Sequence, residues 1–461
     1  MKEFMVESQI ISWSGSSHSP NQERSVQVLS PFHGGPLARV HLSPALEAVK
    51  ALATAKKMSE AWGQTSIPER LLLLRRLHQE LSQSRDEFAV LIAEYEGLSA
   101  SFALRRLIQP MERLLEQTIL QMESTSSSSR RPTGVLALII PAVASFRVLG
   151  ERLIPALAAG NVVVAKLSPR GPVALPIWSR LLERAGFPVG VVSLLVGEGQ
   201  EVGDLLARHP SVDGLSFAGR PETARRVLAS SVQMGKKIQV SGGVKNSLLL
   251  HSEYDFSNQE ILFESLLVGS GRWPWSLSQV YVPESRLEEL EERIRSYVNS
   301  LRPLQDVHGM SPWTPVMPGF DSSGWSALRS QIDRDHGKVT AGGDSERLPF
   351  VRPLFVRDLT HCSVLQMEEL TFPLILINPV KYLHEMAKWV NTIDYGFCAS
   401  IWGPSEKAAR LGEKLDVSEV WINDWMIKDA GFAGSKKSFF GHSDFDWRGD
   451  FFSGDKKMTV V

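Results

Sequence analysis

The sequence predicts an α/β protein with two lobes, each built on a parallel sheet. Short apolar runs alternate with amphipathic helical segments between Val135 and Phe217, and a second alternation runs from Ser247 to Asn423. Strands that alternate with helices are typical of βαβ units, whose strands lie parallel. We therefore expect a boundary between the lobes near residue 245.

The composition is that of a large globular protein. The chain has 461 residues, 43% hydrophobic and 22% charged, which favours two or three domains. A net charge of −1 predicts no binding of nucleic acid or of an anionic membrane. Only two cysteines occur, Cys362 and Cys398, which is typical of a reducing compartment. The N-terminus lacks the apolar run of a signal peptide, and no apolar run reaches the roughly 18 residues of a membrane helix, so we predict a cytoplasmic location.

The first part of the chain is predicted to be irregular and then helical. Residues 1–44 are polar and contain several proline and glycine breakers. Ser43-Pro44 is typical of an N-cap followed by proline in the first turn, which predicts a helix over 45–62. Leucines at a spacing of three to four predict further helix, with breaks, over 68–122. The serine tract 124–129 is expected to be a flexible connector.

Four strands and their helices are predicted in the next hundred residues. The strands are VLALII (135–140), VVVA (162–165), VVSLL (191–195) and GLSF (214–217). One helix is predicted to end at Ala159, a second to span about 173–185 and a third to span about 201–209.

Seven segments, in order, resemble the NAD(P)-dependent aldehyde dehydrogenase superfamily from end to end. They are IPALAAGNVVVAKLSP (154–169), GEGQEVGDLLARHPSVDGLSFAGR (197–220), QVSGGVKN (239–246), EELTFP (368–373), DYGFCASIW (394–402), VWIND (420–424) and GFAGSKKSFFG (431–441). Each segment alone is weak evidence, but seven in the right order at close to the right spacing make the resemblance specific.

The resemblance implies the aldehyde dehydrogenase fold, with three parts. Residues 1–244 would hold N-terminal helices and a Rossmann-like cofactor-binding domain, with a shortened oligomerisation hairpin near 120–134. Residues 245–443 would form a catalytic-type α/β domain, and 444–461 a C-terminal oligomerisation strand.

The resemblance also implies a chemistry that this chain lacks the residues to perform. Family members use a cysteine nucleophile, a glutamate base and an asparagine in the oxyanion hole. The matching positions here hold Pro274, Ser241 and Val143, and no cysteine lies between Ser241 and Arg357. Proline has neither a thiol nor a backbone N–H, serine is not a base near neutral pH, and valine donates no hydrogen bond. The first hypothesis is therefore a pseudoenzyme with a binding or scaffolding role.

Two alternatives stay open. Ser270, Ser276 or Ser278 lies near the vacant position and would be the nucleophile of an oxidoreductase or esterase with relocated chemistry, although no general base is evident beside them. The other alternative is a dinucleotide sensor.

Two further features concern the vacant position. The tryptophans of WPW (273–275) would fill the mouth of the substrate tunnel. Cys398 lies in an apparent strand and is interpreted as a buried structural residue.

The dinucleotide site that the resemblance implies is partly preserved. Lys166 matches the lysine at the adenosine ribose, and Glu369 matches the carboxylate at the nicotinamide ribose. The remaining matches are Gly199 and Gly203 beside the adenine and pyrophosphate, and Phe217 and Gly219 of a Phe-x-Gly-Ser turn.

Two replacements in this site bear on which cofactor binds. Pro169 replaces the ribose-binding acid, so a 2′-phosphate would not be repelled. Arg220 replaces the pyrophosphate-binding serine at a helix start, where it would either attract phosphate or fill its pocket. The sequence thus predicts NAD or NADP without preference and leaves the retention of binding open.

The resemblance further implies an oligomer. Family members associate through the hairpin before the Val135 strand and through a C-terminal strand, which GDKKMTVV (454–461) resembles. We expect a homodimer, or a hetero-oligomer with an active relative, and no nucleic-acid or membrane partner. No His or Cys cluster has metal-ligand spacing, so no metal is expected.

Overall fold

Two mainly parallel sheets, of six and seven strands, organise the chain. The computed structural model describes residues 8–10, 12–14, 24–125, 130–256, 258–343, 346–426, 434–442 and 446–455.

The first part of the chain contains nine strands and eight α-helices. The strands are β1 (Ser8–Ile10), β2 (Ser25–Leu29), β3 (Pro36–His41), β4 (Arg130–Pro132), β5 (Val135–Ile139), β6 (Val162–Leu167), β7 (Val192–Val196), β8 (Gly214–Gly219) and β9 (Lys237–Gly242) among the described residues. The helices are α1 (Ala45–Gly63), α2 (Ile67–Glu96), α3 (Ala100–Ala103), α4 (Gln109–Glu123), α5 (Ser145–Ala159), α6 (Ala174–Ala185), α7 (Asp204–Arg208) and α8 (Pro221–Gln233), with π-helical turns at Leu104–Ile108 and Gly199–Gly203.

The second part follows directly. Its described strands are β10 (Asn246–Leu250), β11 (Leu277–Pro283), β12 (Lys338–Ala341), β13 (Glu346–Arg347), β14 (Phe350–Val351), β15 (Leu354–Arg357), β16 (Leu374–Val380), β17 (Tyr395–Gly396), β18 (Cys398–Trp402), β19 (Glu419–Ile422), β20 (Ser435–Lys436), β21 (Phe439–Gly441) and β22 (Ser453–Asp455). Its helices are α9 (Gln259–Leu267), α10 (Leu287–Ser300), α11 (Ser322–Arg334), α12 (Val364–Met367), α13 (Leu383–Thr392) and α14 (Ser405–Gly412), with 3₁₀ turns at Val268–Gly271 and Glu284–Arg286.

The six-stranded sheet has the order β21-β9-β8-β5-β6-β7, and all its strands are parallel except β21. Strands β5, β6 and β7 are buried along their whole length, as expected of parallel strands covered on both faces by helices. The chain runs outward from β5 to β7 and then returns to place β8 beside β5. Ligands bind at the carboxyl edge of such a sheet, beside the point where the strand order reverses.

The seven-stranded sheet has the order β12-β15-β16-β11-β10-β18-β19, with only the edge strand β12 antiparallel. Three residues, 243–245, separate β9 from β10. The predicted division into domains at this point stays a prediction. Strand β21 lies within the predicted catalytic-type domain but pairs with β9 of the first sheet.

Two N-terminal expectations are wrong. Residues 25–41, expected to be irregular, form an antiparallel hairpin of β2 and β3 with the proline and glycine breakers in its turn. Ser43 does not cap α1, because its N–H is bonded to the carbonyl of Val196 and Pro44 takes the N-cap position. The carboxylate of Glu201 accepts a hydrogen bond from the N–H of Ala45 instead, at 2.9 Å.

The predicted oligomerisation element is described only in part. Strand β4 pairs antiparallel with β22, so the segment before β5 does meet the C-terminal segment. Residues 126–129, 443–445 and 456–461, on which part of the predicted hairpin and C-terminal strand falls, lie outside the described residues. Among the helices that are described, none has the length and apolar character needed to cross a membrane.

Candidate functional site

Helix α5 lies close to the three positions at which the resemblance predicts catalytic residues. Val143 lies in the loop between β5 and α5, two residues before the helix begins. Ser241 lies near the end of β9, where it contacts Arg152 of α5. Pro274 lies in the turn before β11, beside Trp275, whose ring faces Arg147 of α5.

Ser241 is held by a buried guanidinium. Nη2 of Arg152 donates to Ser241 Oγ at 3.3 Å, and Nε donates to Ser216 Oγ at 3.0 Å. Arg152 and both serines are fully buried. Burial lowers the pKa of Arg152 to about 10, so the group is still charged at neutral pH. At the position where the resemblance predicts a base, the Ser241 hydroxyl accepts a hydrogen bond from a cation.

Pro274 sits in a turn packed by two indoles. Trp273 and Trp275 are each 1% exposed, and the guanidinium carbon of Arg147 lies 4.5 Å from the Trp275 ring centroid. The amide of Asn246 donates to the carbonyl of Pro274 at 2.7 Å. The turn is thus held by the Asn246 amide and by the packing of both indoles, and the filling of a substrate tunnel by these indoles stays a prediction.

The three candidate serines differ in how they are held. Ser270 Oγ donates to the carbonyl of Thr314 at 2.8 Å, and Ser276 Oγ donates to the carbonyl of Val268 at 3.3 Å. Ser278 is half-buried in β11. An activated serine directs its proton to a general base. Ser270 and Ser276 direct theirs to backbone carbonyls.

Neither cysteine is placed to act as the family nucleophile. Cys398 is 1% exposed in β18, as the sequence predicts, and burial together with the charge of Glu419 raises the pKa of its thiol. Its backbone N–H donates to Asn246 Oδ1 at 3.3 Å, the same amide that holds Pro274. Cys362 is exposed, with its sulfur 3.5 Å from Thr360 Oγ1. The thiol nearer the vacant site is therefore buried and protonated.

Glu96 is a site residue that sequence reasoning missed. It is the last residue of α2, and a carboxylate at the C-terminal end of a helix interacts unfavourably with the helix dipole. An acidic residue at the end of a predicted helix was therefore the sequence signal that could have identified it. It is 3% exposed, and its Oε2 accepts a hydrogen bond at 2.9 Å from the N–H of Ala144, beside Val143. Ala144 has φ of 53°, a left-handed conformation that this bond helps to hold. Burial raises the pKa of Glu96 to about 7, although the charge of Arg272 opposes the shift.

We expect the wild-type protein to lose stability relative to Glu96→Gln as the pH rises. The pKa rises from 4.5 to about 7 on folding, so the folded state favours the protonated carboxyl. That advantage is present below pH 4.5 and is lost as the pH passes 7, a difference of roughly 3 kcal/mol. Free energies of unfolding for both proteins at pH 5.5 and 8.5 test this, an interval over which about 2 kcal/mol of the change should occur. Parallel pH profiles would contradict it.

The candidate cofactor residues from the first sheet lie together at its carboxyl edge. They are Lys166 in β6, Gly199 and Gly203 in the turn after β7, Phe217 and Gly219 in β8, and Arg220 at the N-cap of α8. An added Cβ at position 219 would lie 2.7 Å from the ring of Phe217, so a larger residue would require that ring to shift.

Lys166 has the features of a group that awaits a polar ligand. It is 7% exposed, and no hydrogen bond or ion pair joins its ammonium to any residue that the structure describes. Burial lowers its pKa to about 8, against the opposing charge of Glu198. A Cβ at Gly199 would meet nothing within 4 Å, so the turn borders open space. The carboxyl edge of the first sheet therefore offers a buried ammonium and adjoining open space to a polar ligand.

Glu369 lies in a cluster of charges that includes Arg220. Burial raises its pKa to about 7, while the charges of Arg220 and Lys245 act in the opposite direction. Lys245 is 4% exposed, donates to the carbonyl of Leu365 at 2.7 Å, and has a pKa lowered by burial to about 7. The candidate residues for the pyrophosphate and for the nicotinamide ribose are thus close enough to interact.

The comparisons with known proteins agree with this geometry. The sequence profile of the aldehyde dehydrogenase family matches residues 18–458. Human 2-aminomuconic semialdehyde dehydrogenase is 26% identical over 93% of this chain and 94% of its own. 2-hydroxymuconic semialdehyde dehydrogenase of Pseudomonas sp. is 24% identical over 91% and 92% of the two chains. An NAD+ complex of Bacillus cereus aldehyde dehydrogenase superposes with a TM-score of 0.88 at 22% identity, covering 98% and 96%. No group of His, Cys, Asp and Glu suited to a metal occurs in the described parts of the chain.

Proposed function

Because the chain belongs to the aldehyde dehydrogenase family, we propose that it binds a nicotinamide dinucleotide but does not oxidise aldehydes through a cysteine thioester. The observation that carries this proposal is the hydrogen bond from Arg152 to Ser241. It places a buried cation where the family chemistry requires a base. The protein is thus a pseudoenzyme with a binding or scaffolding role.

The carboxyl edge of the first sheet supplies the groups that would hold the dinucleotide. Lys166 offers an unpartnered ammonium for the adenosine ribose, and Gly199 leaves space for the adenine side. Arg220 stands at the start of the 13-residue helix α8, where a pyrophosphate is favoured. Glu369 would accept hydrogen bonds from the nicotinamide ribose. A bound nicotinamide supplies a hydride acceptor.

Three properties of the site argue against thioester chemistry in this chain. Pro274 has no thiol to add to a carbonyl. The Pro274 and Val143 positions together lack the two donors of the family oxyanion hole. Trp273 and Trp275 exclude substrate from the adjoining space because both are buried and packed.

Calorimetric titration with NAD and with NADP, followed by an assay of aldehyde-dependent NAD(P)H formation, tests the proposal. We expect saturable binding, with turnover at least about 1,000-fold below that of an active family member assayed in parallel, since one lost oxyanion donor alone costs about 10²–10³. Turnover by the pure protein above this bound would refute the proposed loss of catalysis, and its disappearance in Cys362→Ser would assign it to a thiol nucleophile. No binding of either dinucleotide would refute the binding role.

Two finer statements belong to the same proposal. The β4–β22 pair supports a homodimer built on the family's oligomerisation element, with a hetero-oligomer that includes an active relative as the alternative. Two free cysteines support a cytoplasmic location. A dinucleotide sensor remains the second candidate function, favoured by the unpartnered ammonium of Lys166.

A further inference from the structure

A cavity of about 340 Å³ lies away from the candidate dinucleotide site. The start of α2, the end of α5 and the β4–β22 pair surround it. Its lining includes Ser66, Ile67, Arg70, Arg130 and Trp447. None of these residues belongs to the family positions discussed above.

Arg70 is a nine-tenths buried cation without a counterion in this cavity. It is 7% exposed, and its Nε and Nη1 donate to the carbonyls of Ala158 and Thr65. Its Nη2 has no hydrogen bond, and no carboxylate forms an ion pair with Arg70, among the described residues. Burial lowers its pKa, and the single opposing charge is that of the neighbouring Glu69. A buried charge that is left unpaired is unfavourable, which points to a missing anion.

The N-terminus of α2 adds a second attraction for an anion. The helix has 30 residues, and its first residue, Ile67, has an N–H that no carbonyl within the helix can accept. Aligned peptide dipoles make such a terminus favourable for negative charge. The buried indole N–H of Trp447, which also lines the cavity, has no acceptor among the described residues.

Three carboxylates compete with a ligand in this region. Glu69 is exposed and accepts from both the N–H and the hydroxyl of Ser66 at 2.7 Å, which places a negative charge at the same helix end. Asp450 and Asp455 pair with Arg130 at 2.6 and 3.4 Å. Arg130 is therefore compensated, and Arg70 provides the cavity's unpaired charge.

We propose that this cavity is a binding site for a small oxyanion, a phosphate or a carboxylate group. Arg70 Nη2 and the N–H of Ile67 are its donors. The inference does not depend on dinucleotide binding, because it uses different residues and a different cavity.

Calorimetric titration of the full chain with inorganic phosphate tests the site, with variants chosen to move the affinity in opposite directions. Wild type is expected to bind one phosphate. Arg70→Gln is expected to weaken binding by about 10- to 100-fold, the loss of a charged hydrogen bond. Glu69→Gln is expected to strengthen it severalfold, because glutamine preserves the capping box while the competing charge is removed. Arg410→Gln, on the exposed surface of α14, should leave the affinity unchanged.

Arg70 also donates a hydrogen bond to the carbonyl of Ala158 near the end of α5, so the substitution Arg70→Gln bears on folding as well as on binding. If that variant does not fold, the phosphate affinity of Glu69→Gln still tests the proposal. Absence of saturable phosphate and citrate binding, an unchanged affinity in Glu69→Gln, or a loss in Arg410→Gln would each overturn the proposal. Parallel titrations with glycerol phosphate and citrate distinguish a free phosphate, a phosphate ester and a carboxylate as the ligand.

Discussion

Glu151→Gln is expected to destabilise the protein by about 3–5 kcal/mol, because it removes the negative charge from a buried cluster of three ions. Glu151 lies 2.8 Å from Arg147 and 3.9 Å from Arg152, and all three are at most 1% exposed. Glutamine has the same shape, so packing is preserved while two buried guanidinium groups lose their shared counterion. The free energy of unfolding in urea, followed by circular dichroism, measures the effect.

An exposed pair provides a matched control. Glu406 and Arg410 have the same spacing of four residues on α14, and their side chains are 80% and 73% exposed. Glu406→Gln should change the free energy of unfolding by less than about 0.5 kcal/mol. A similar small change for both substitutions would mean that the buried cluster does not stabilise the fold.

This cluster contacts two of the positions at which the resemblance predicts catalytic residues. Arg147 packs on Trp275, next to Pro274, and Arg152 donates a hydrogen bond to Ser241. Ser216 extends the network by donating to Gln239 at 2.8 Å. Buried polar groups are tolerated only when their partners are in place. The network around α5 therefore has the character of a structural core, with each buried polar group held by a partner.

The sequence predicted the strands of the first sheet well because their apolar runs are short and continuous. Val135–Ile139 and Val162–Leu167 are strands within a few residues of the predicted bounds. Such runs are typical of strands that are buried on both faces, where local composition alone carries the signal.

The errors arose where distant residues decide the local structure. Ser43 has the composition of an N-cap, but its backbone is bonded to Val196, and Glu201 caps the helix from 156 residues away. The hairpin over 25–41 is an exception, because its strands SVQVL and PLARVH carry a short apolar alternation that was missed among the surrounding breakers. Glu96 and Arg70 were missed because only the fold shows which charged side chains are buried.

The candidate site was predictable as a set of positions but not as a set of interactions. The resemblance placed Val143, Ser241 and Pro274, and the structure places α5 beside all three. The sequence did not predict that the guanidinium groups of Arg147 and Arg152 contact these positions, because arginine is an ordinary residue in a helix.

Lys166→Met is expected to weaken NADP binding by about 10- to 100-fold, and wild-type affinity for NADP is expected to fall as the pH rises above 8. The pKa of Lys166 is about 8, so its ammonium is charged at pH 7 and largely neutral at pH 9. At position 169, where the resemblance predicts an acid, a 2′-phosphate near Lys166 would meet the buried, uncharged Pro169, which is followed by the exposed Arg170. NAD lacks this phosphate, so its affinity should vary less with pH. Calorimetry with both dinucleotides from pH 6.5 to 9.5 tests the prediction.

Lys236 provides the control for the source of the pH dependence. Its pKa is also lowered by burial to about 8, but it lies just before β9 and donates to the carbonyls of His209 and Val212, away from the carboxyl edge. Lys236→Arg keeps the charge and removes the titration, so the NADP profile should keep its fall above pH 8. In Lys166→Met the profile should become flat. A fall that persists in Lys166→Met, or that disappears in Lys236→Arg, would assign the titrating group elsewhere and remove the support for a 2′-phosphate at Lys166.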